Sequence, residues 1–391
     1  MAAAKSARKL EEEEMSYESA KRRQLEASGN ATADSDPLSS PDSDNPIEFW
    51  TSQGRWPDHL FEPTERLLAR KRSSSTTPSD EKPRAEKSTQ YRDPRYKALL
   101  AAMGSFMGES DKGVTIESTT ACMTLLTSEQ TLPTESLFRD ELFDLTCRSV
   151  EDRNAARVLR DITPLIVPSA EVLAINGSAG LKCLIESTNE GWDNSIPLVG
   201  IRPQPDYSVG FRRDAFTEAQ LEKLAPFVGG FLADDVSFFM ATYYMYFPFL
   251  ACEVSCSAVA LDVADRQNAH SMTLAARGIV ELFRLVKRED EVHRQILSFS
   301  VSHDNCSVRI YGHYPVIDGN DTKYYRHPIY KFDFTALDGK DRWTAYRFTK
   351  NVYDTWMPSH WKRISSAVDQ LPLKMESNIP ALSESTDLTG P

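Results

Sequence analysis

Two acidic residues are the side chains of this sequence best suited to metal-dependent chemistry. Asp206 follows a proline in RPQPDYSVGF, and Glu253 lies 47 residues later in the apolar run FPFLACEVSC. If neighbouring strands bring these carboxylates together, they form the hard-oxygen site that Mg²⁺ or Mn²⁺ prefers. An ion bound there could polarise a phosphodiester and activate water for its hydrolysis.

The apolar run around Glu253 predicts a central strand that is buried on both faces. Alternate residues of a strand share a face, so Glu253 and Ser255 are expected to point to the same side. A carboxylate in such a strand is costly unless it is paired or bound to a metal. A structural salt bridge is therefore the alternative interpretation of Glu253, and a simple turn after prolines is the alternative for Asp206.

The elements that must position these residues follow from hydrophobic periodicity. Helices are expected at 149–162 and 168–187, ahead of a short strand that begins at Asp206. A long helix from Leu261 to Arg288 follows the Glu253 strand, and further strands are expected downstream at 296–302, 307–314 and 323–334. This order predicts an α/β fold with a central mixed sheet flanked by helices.

The ends of the chain differ in composition from its middle. Residues 1–90 are rich in Ser, Thr, Pro and charged residues and have no apolar periodicity, which predicts a disordered N-terminal arm. The middle, 91–371, is expected to form a single α/β domain. Residues 372–391 are expected to form a disordered tail.

The charge distribution limits how the protein could bind nucleic acid. The net charge is −12, of which −3 falls in the first 90 residues and −9 in the remainder. Broad, non-specific binding needs clustered Lys and Arg, so only a local basic patch is compatible with this balance. The sequence has neither an apolar run of bilayer length nor a secretory h-region, and its six cysteines are scattered. We therefore expect a nuclear or cytoplasmic protein that is not secreted and has no membrane partner.

The order of these elements resembles the PD-(D/E)XK nuclease superfamily over a core of about 149–314. The resemblance implies a phosphodiesterase whose divalent metal is held by Asp206 and Glu253. The superfamily pattern places Lys two residues after the Glu, but this chain has Ser255, which cannot supply a cation. Arg266, at the start of the following helix, is the sequence candidate for the missing charge, with Gln267 beside it.

The chain also resembles, more closely, an uncharacterised fungal domain family over about 56–370. This resemblance implies a shared fold and carries no established activity. It rests on the segments RDPRYKALLAAMGSFMG, RPQPDYSVGF, FFMATYYMYFPFLACEVSC, ADRQNAHSMTLAARGIVELFRLVKR and WTAYRFTKNVYDTWMPSHWKRI.

Two functions are consistent with these observations. The first is a nuclease-like protein that acts on or binds nucleic acid through a Mg²⁺ or Mn²⁺ carboxylate site, with chemistry impaired by the loss of the Lys. The second is a non-catalytic module that retains the fold and binds protein partners through its N-terminal arm. They differ in whether Asp206 and Glu253 converge and whether a cation compensates for Ser255.

Overall fold

A computed structural model describes residues 70–71, 89–230, 235–256 and 261–372. All of them belong to a unit that spans His59–Pro391. The sequence predicts disorder for 1–90 and 372–391. Except for 70–71, 89–90 and 372, these residues lie outside the described ranges.

Six of the eight described strands form one mixed sheet. The order across this sheet is β2-β3-β5-β6-β7-β8, while β1 and β4 pair separately. Only β5 and β6 are parallel among these pairs; every other pair of described neighbours is antiparallel. With the helices around it, this sheet confirms the α/β class. The strands are β1 Arg70–Lys71, β2 Leu184–Thr188, β3 Tyr207–Arg212, β4 Asp235–Val236, β5 Met245–Val254, β6 Ser298–His303, β7 Ser307–Asp318 and β8 Asp321–Asp333.

The helices precede, connect and follow these strands. None of the described helices combines the length and the apolar character that crossing a bilayer requires. The helices are α1 Tyr96–Ala102, α2 Ile116–Thr127, α3 Asp140–Val150, α4 Ala155–Asp161, α5 Thr163–Ile166, α6 Ala170–Ile175, α7 Glu218–Val228, α8 Leu261–Leu285, α9 Ala336–Gly339, α10 Thr344–Asn351 and α11 Met357–Asp369, with a π-helical turn Val352–Trp356 before α11.

Strand β5 is buried on both faces, and the long helix α8 covers one of them. A parallel pair needs a crossover connection, and α8 lies between β5 and β6 in the chain and contacts both strands. Ala251 of β5 belongs to the core on the α8 side, together with Met272. Leu250 and Cys252 belong to a second core, together with Trp356 and with later residues of α8 such as Phe283. Ala251 and the residues on either side of it therefore pack in different cores.

For two helices, the extent predicted from the sequence is wrong. The periodicity over 149–162 continues across a break, because α3 ends at Val150 and the side chain of Asn154 accepts a hydrogen bond from the N–H of Arg157 to start α4. The helix expected over 168–187 ends at Ile175 ahead of Gly177, which has a φ of +111°. The later part of that range is strand β2, which pairs with β3.

A glycine within α8 allows a close approach between this helix and the chain beside it. A Cβ added at Gly278 would lie 2.4 Å from the carbonyl oxygen of Phe238. Alanine normally stabilises a helix by about 1 kcal/mol relative to glycine. Here we expect Gly278→Ala to lower the free energy of unfolding by about 1–3 kcal/mol, because backbone must move to admit the methyl group.

Urea unfolding monitored by circular dichroism measures this effect. Gly200→Ala is the matched control, because nothing lies within 4 Å of its added Cβ. A Gly278→Ala protein as stable as the wild type would contradict the close packing of α8.

Candidate functional site

The structure places Asp206 and Glu253 opposite each other on neighbouring strands. Asp206 directly precedes β3, and Tyr207 pairs with Cys252 of β5, so the antiparallel register continues to Glu253. Residues that face each other across antiparallel strands share a side of the sheet. The N–H of Val254 donates a 2.8 Å hydrogen bond to Oδ2 of Asp206, which ties this carboxylate to the end of β5.

The shared side of the sheet is the one that α8 covers. In the parallel register with β6, Glu253 pairs with Ser302. The hydroxyl of Ser302 accepts a 2.9 Å hydrogen bond from Nδ2 of Asn268, a residue of α8. Glu253 therefore lies between the sheet and the first turns of α8.

Both carboxylates line an open cavity of about 420 Å³ at this end of the sheet. Its wall combines the segment ahead of α1, helix α4, the loop between β2 and β3, the end of β5 and the start of α8. The lining residues are Arg92, Ala155, Ala156, Leu159, Asn189, Asp206, Glu253, Val254, Ser255, Cys256, Val263, Ala264 and Gln267.

The carboxylates are buried deeply enough to affect the groups around them. Asp206 is 5% exposed and Glu253 is 1% exposed. Burial, reinforced by the charges of Asp206 and then Glu253, raises the pKa of the Cys252 thiol well above its usual value. Burial and Tyr96 raise the pKa of Tyr91, and the charge of Glu253 raises it further. A cation bound beside two buried acids would favour their charged forms.

Asp206 and Glu253 are the lining residues that could hold a divalent ion of the magnesium type through carboxylate oxygens. Gln267 and Asn189 line the same cavity. In the described part of the chain, no group of three or more His, Cys, Asp or Glu side chains could hold a metal ion. Mg²⁺ is commonly held by one or two carboxylates, with water and substrate oxygens completing its coordination, so two acids are sufficient.

The residues expected from the sequence divide into two groups. Asp206, Glu253, Ser255 and Gln267 all line the cavity, whereas Arg266 does not. The Nε of Arg266 instead donates a 2.6 Å hydrogen bond to the carbonyl oxygen of Tyr91. The arginine expected to act in the site therefore holds the segment ahead of α1.

Sequence reasoning missed a cation that does line the cavity, Arg92. This residue lies 161 positions before Glu253, outside the helix and strand order that pointed to the site. The available signal was its place in the basic segment RDPRYK, where the ordered part of the chain is expected to begin.

Comparison with known proteins identifies a family. Neither the curated proteins nor the solved structures include a match to this chain. A family model described as a domain of unknown function, DUF7924, matches residues 142–368, more than half of the chain. The match includes Asp206, Glu253 and Ser255 and excludes Arg92. The chain therefore belongs to the DUF7924 family.

Proposed function

We propose that this protein is nuclease-like and engages nucleic acid through a Mg²⁺ or Mn²⁺ ion held by Asp206 and Glu253. The observation that carries the proposal is the pair of buried carboxylates, opposite each other on β3 and β5, in the wall of one cavity. The order of elements around this pair supports a PD-(D/E)XK-like core. The replacement of its Lys by Ser255 supports weakened chemistry.

The protein groups have distinct tasks in this proposal. The hydrogen bond from the N–H of Val254 orients the Asp206 carboxylate towards the end of β5. Glu253, held on the α8 side of the sheet, supplies the second oxygen ligand. A divalent ion bound between them would polarise the scissile phosphate and lower the pKa of an attacking water. Ser255 lies beside Glu253 in the same wall and contributes no charge.

A second cavity adjoins the first and offers room for a ligand larger than one phosphate group. This cavity, of about 360 Å³, shares Ala156 and Leu159 of α4 with the carboxylate cavity. Its wall includes Glu186, which accepts hydrogen bonds from Tyr207 Oη at 2.9 Å and from Ser169 Oγ at 2.8 Å. A polynucleotide has neighbouring units that could occupy adjoining cavities, whereas a small phosphate ester does not.

A metal titration tests the proposal directly. Mn²⁺ followed by isothermal titration calorimetry should show binding to the wild type and no measurable binding to Glu253→Ala, because the remaining carboxylate holds the ion too weakly. Glu222→Ala is the matched control, since Glu222 is exposed on α7 and does not line the cavity. The proposal fails if neither Mn²⁺ nor Mg²⁺ binds the wild type, or if Glu253→Ala binds as tightly.

A further inference from the structure

The carboxylate cavity contains an arginine that the β5 motif does not supply. Arg92 lines the same wall as Asp206 and Glu253 but comes from the segment ahead of α1. It lies outside the residues matched by the DUF7924 family model, which begin at 142. Its position therefore depends on how the preceding segment packs against the rest of the molecule.

Three hydrogen-bonding contacts hold that segment against α8. The hydroxyl groups of Tyr91 and Tyr96 lie 2.8 Å and 3.3 Å from Nδ1 of His270, which is completely buried. The Nε of Arg266 donates to the carbonyl oxygen of Tyr91 from the same helix. These contacts lie on both sides of Arg92 in the sequence, so its backbone has a defined place in the wall of the cavity.

The guanidinium group of Arg92 differs from that of its neighbour Arg95. The side chain of Arg92 has no hydrogen bond or ion pair among the described residues, and it is exposed. Arg95 is also exposed, but its Nη2 is 2.7 Å from Oδ2 of Asp93. Only Arg92 of the two lines the cavity and keeps its donors available to an anion there.

We propose that Arg92 binds a phosphate group of nucleic acid in the carboxylate cavity and supplies the positive charge that β5 lacks at Ser255. This inference rests on the proposed function. A guanidinium group can donate two parallel hydrogen bonds to phosphate oxygens, which a serine hydroxyl cannot do. The site is thus completed by a segment outside the family-matched residues.

Two measurements on the full chain test this role. The first is binding of a fluorescein-labelled DNA oligonucleotide by anisotropy, with Ca²⁺ in place of Mg²⁺ to suppress turnover. Arg92→Ala should weaken this binding about 10- to 100-fold, the range for loss of a charge-assisted hydrogen bond. The second is the Mn²⁺ titration, in which Arg92→Ala should bind at least as tightly as the wild type, because a nearby positive charge has been removed.

Three further variants distinguish the possible causes of a loss of oligonucleotide affinity in Arg92→Ala. Arg95→Ala is the charge-matched control and should keep oligonucleotide affinity close to that of the wild type. Arg92→Lys should give an intermediate affinity, because Lys keeps the charge and loses the planar pair of donors. Ser255→Lys combined with Arg92→Ala should recover most of the lost affinity, since it restores a cation to the same wall.

The outcomes distinguish this inference from the proposed function. Equal oligonucleotide affinity of Arg92→Ala and the wild type would overturn the role of Arg92, and so would equal losses in Arg92→Ala and Arg95→Ala. Loss of Mn²⁺ binding in a folded Arg92→Ala protein would overturn it as well, because Arg92 would then support the carboxylates themselves. Absence of Mn²⁺ binding in the wild type would reject the proposed function instead.

Discussion

Glu253→Ala is expected to abolish the Mg²⁺- or Mn²⁺-dependent cleavage of nucleic acid that the proposed function implies. In that proposal the substitution removes a metal ligand, and with it the polarisation of the phosphate and the activation of water. The loss should be at least about 100-fold, comparable to removal of one preorganised transition-state contact. Release of fluorescence from a doubly labelled oligonucleotide, with DNA and RNA tested separately, measures this rate.

Ser255→Lys should raise the rate of the metal-dependent cleavage that the proposed function implies. Ser255 lines the cavity beside Glu253, so an ammonium group introduced there would reach the charge that develops on the phosphate during cleavage. A cation acting mainly on the transition state raises the rate constant, by about 100-fold for a well-placed group. Ser255→Met is the matched control, because it adds similar length without charge.

The alternative function predicts a different pattern. If the domain is an interaction module, neither the wild type nor Ser255→Lys should cleave nucleic acid, and the protein should bind no Mn²⁺. Cleavage that persists unchanged in Glu253→Ala, or that needs no metal ion, would show that another site or a contaminant is responsible. Equal rates for Ser255→Lys and Ser255→Met would show that charge at this position does not act on the reaction.

Acidification from pH 6.5 to 5.5 is expected to lower the free energy of unfolding by about 3 kcal/mol. Burial lowers the pKa of His270 and of His313 to about 3 and lowers that of His360 well below its usual value. Each of the three is at most 3% exposed. In the unfolded chain the same side chains have a pKa of about 6.5.

The free energy of unfolding falls on acidification because the unfolded chain binds more protons than the folded protein. Below pH 6.5 the unfolded chain takes up protons at these histidines while the folded protein keeps them neutral, so stability falls as the pH falls. Each histidine contributes about 1 kcal/mol over this interval, and up to about 1.4 kcal/mol per pH unit at lower pH. Arg160 and Arg309 lower the pKa of Asp161 and Asp262, respectively, but the stability from these carboxylates is lost only when the pH falls below about 4.

Urea unfolding at pH 6.5, 6.0 and 5.5 measures this effect. His360→Phe is the diagnostic variant, because His360 stacks on Trp356 with ring centroids 4.2 Å apart and its buried Nε2 has no hydrogen-bond partner in the described part of the chain. An aromatic ring without a titrating group should reduce the loss by about 1 kcal/mol. A free energy of unfolding that stays constant over this interval would contradict the neutral burial of these histidines.

The sequence by itself determined the features that depend on residues close together along the chain. Alternation within β5 separates Cys252, in one core, from Glu253 beside the cavity, because successive strand residues point to opposite faces. Periodicity over the residues that follow indicated α8, because residues three and four apart share a helix face. The α/β class followed from the order of such elements.

The tertiary structure decided which distant residues meet. Pairing with β3 makes a strand of Leu184–Thr188, where local periodicity indicated a helix, because hydrogen bonds across the sheet override weak helical preference. The register of β3 on β5 places Asp206 opposite Glu253. Arg92 lines the same cavity as this pair. It follows Tyr91, whose hydroxyl group is hydrogen-bonded to His270, 179 residues away. No local pattern encodes such a contact, since it depends on the packing of complete elements.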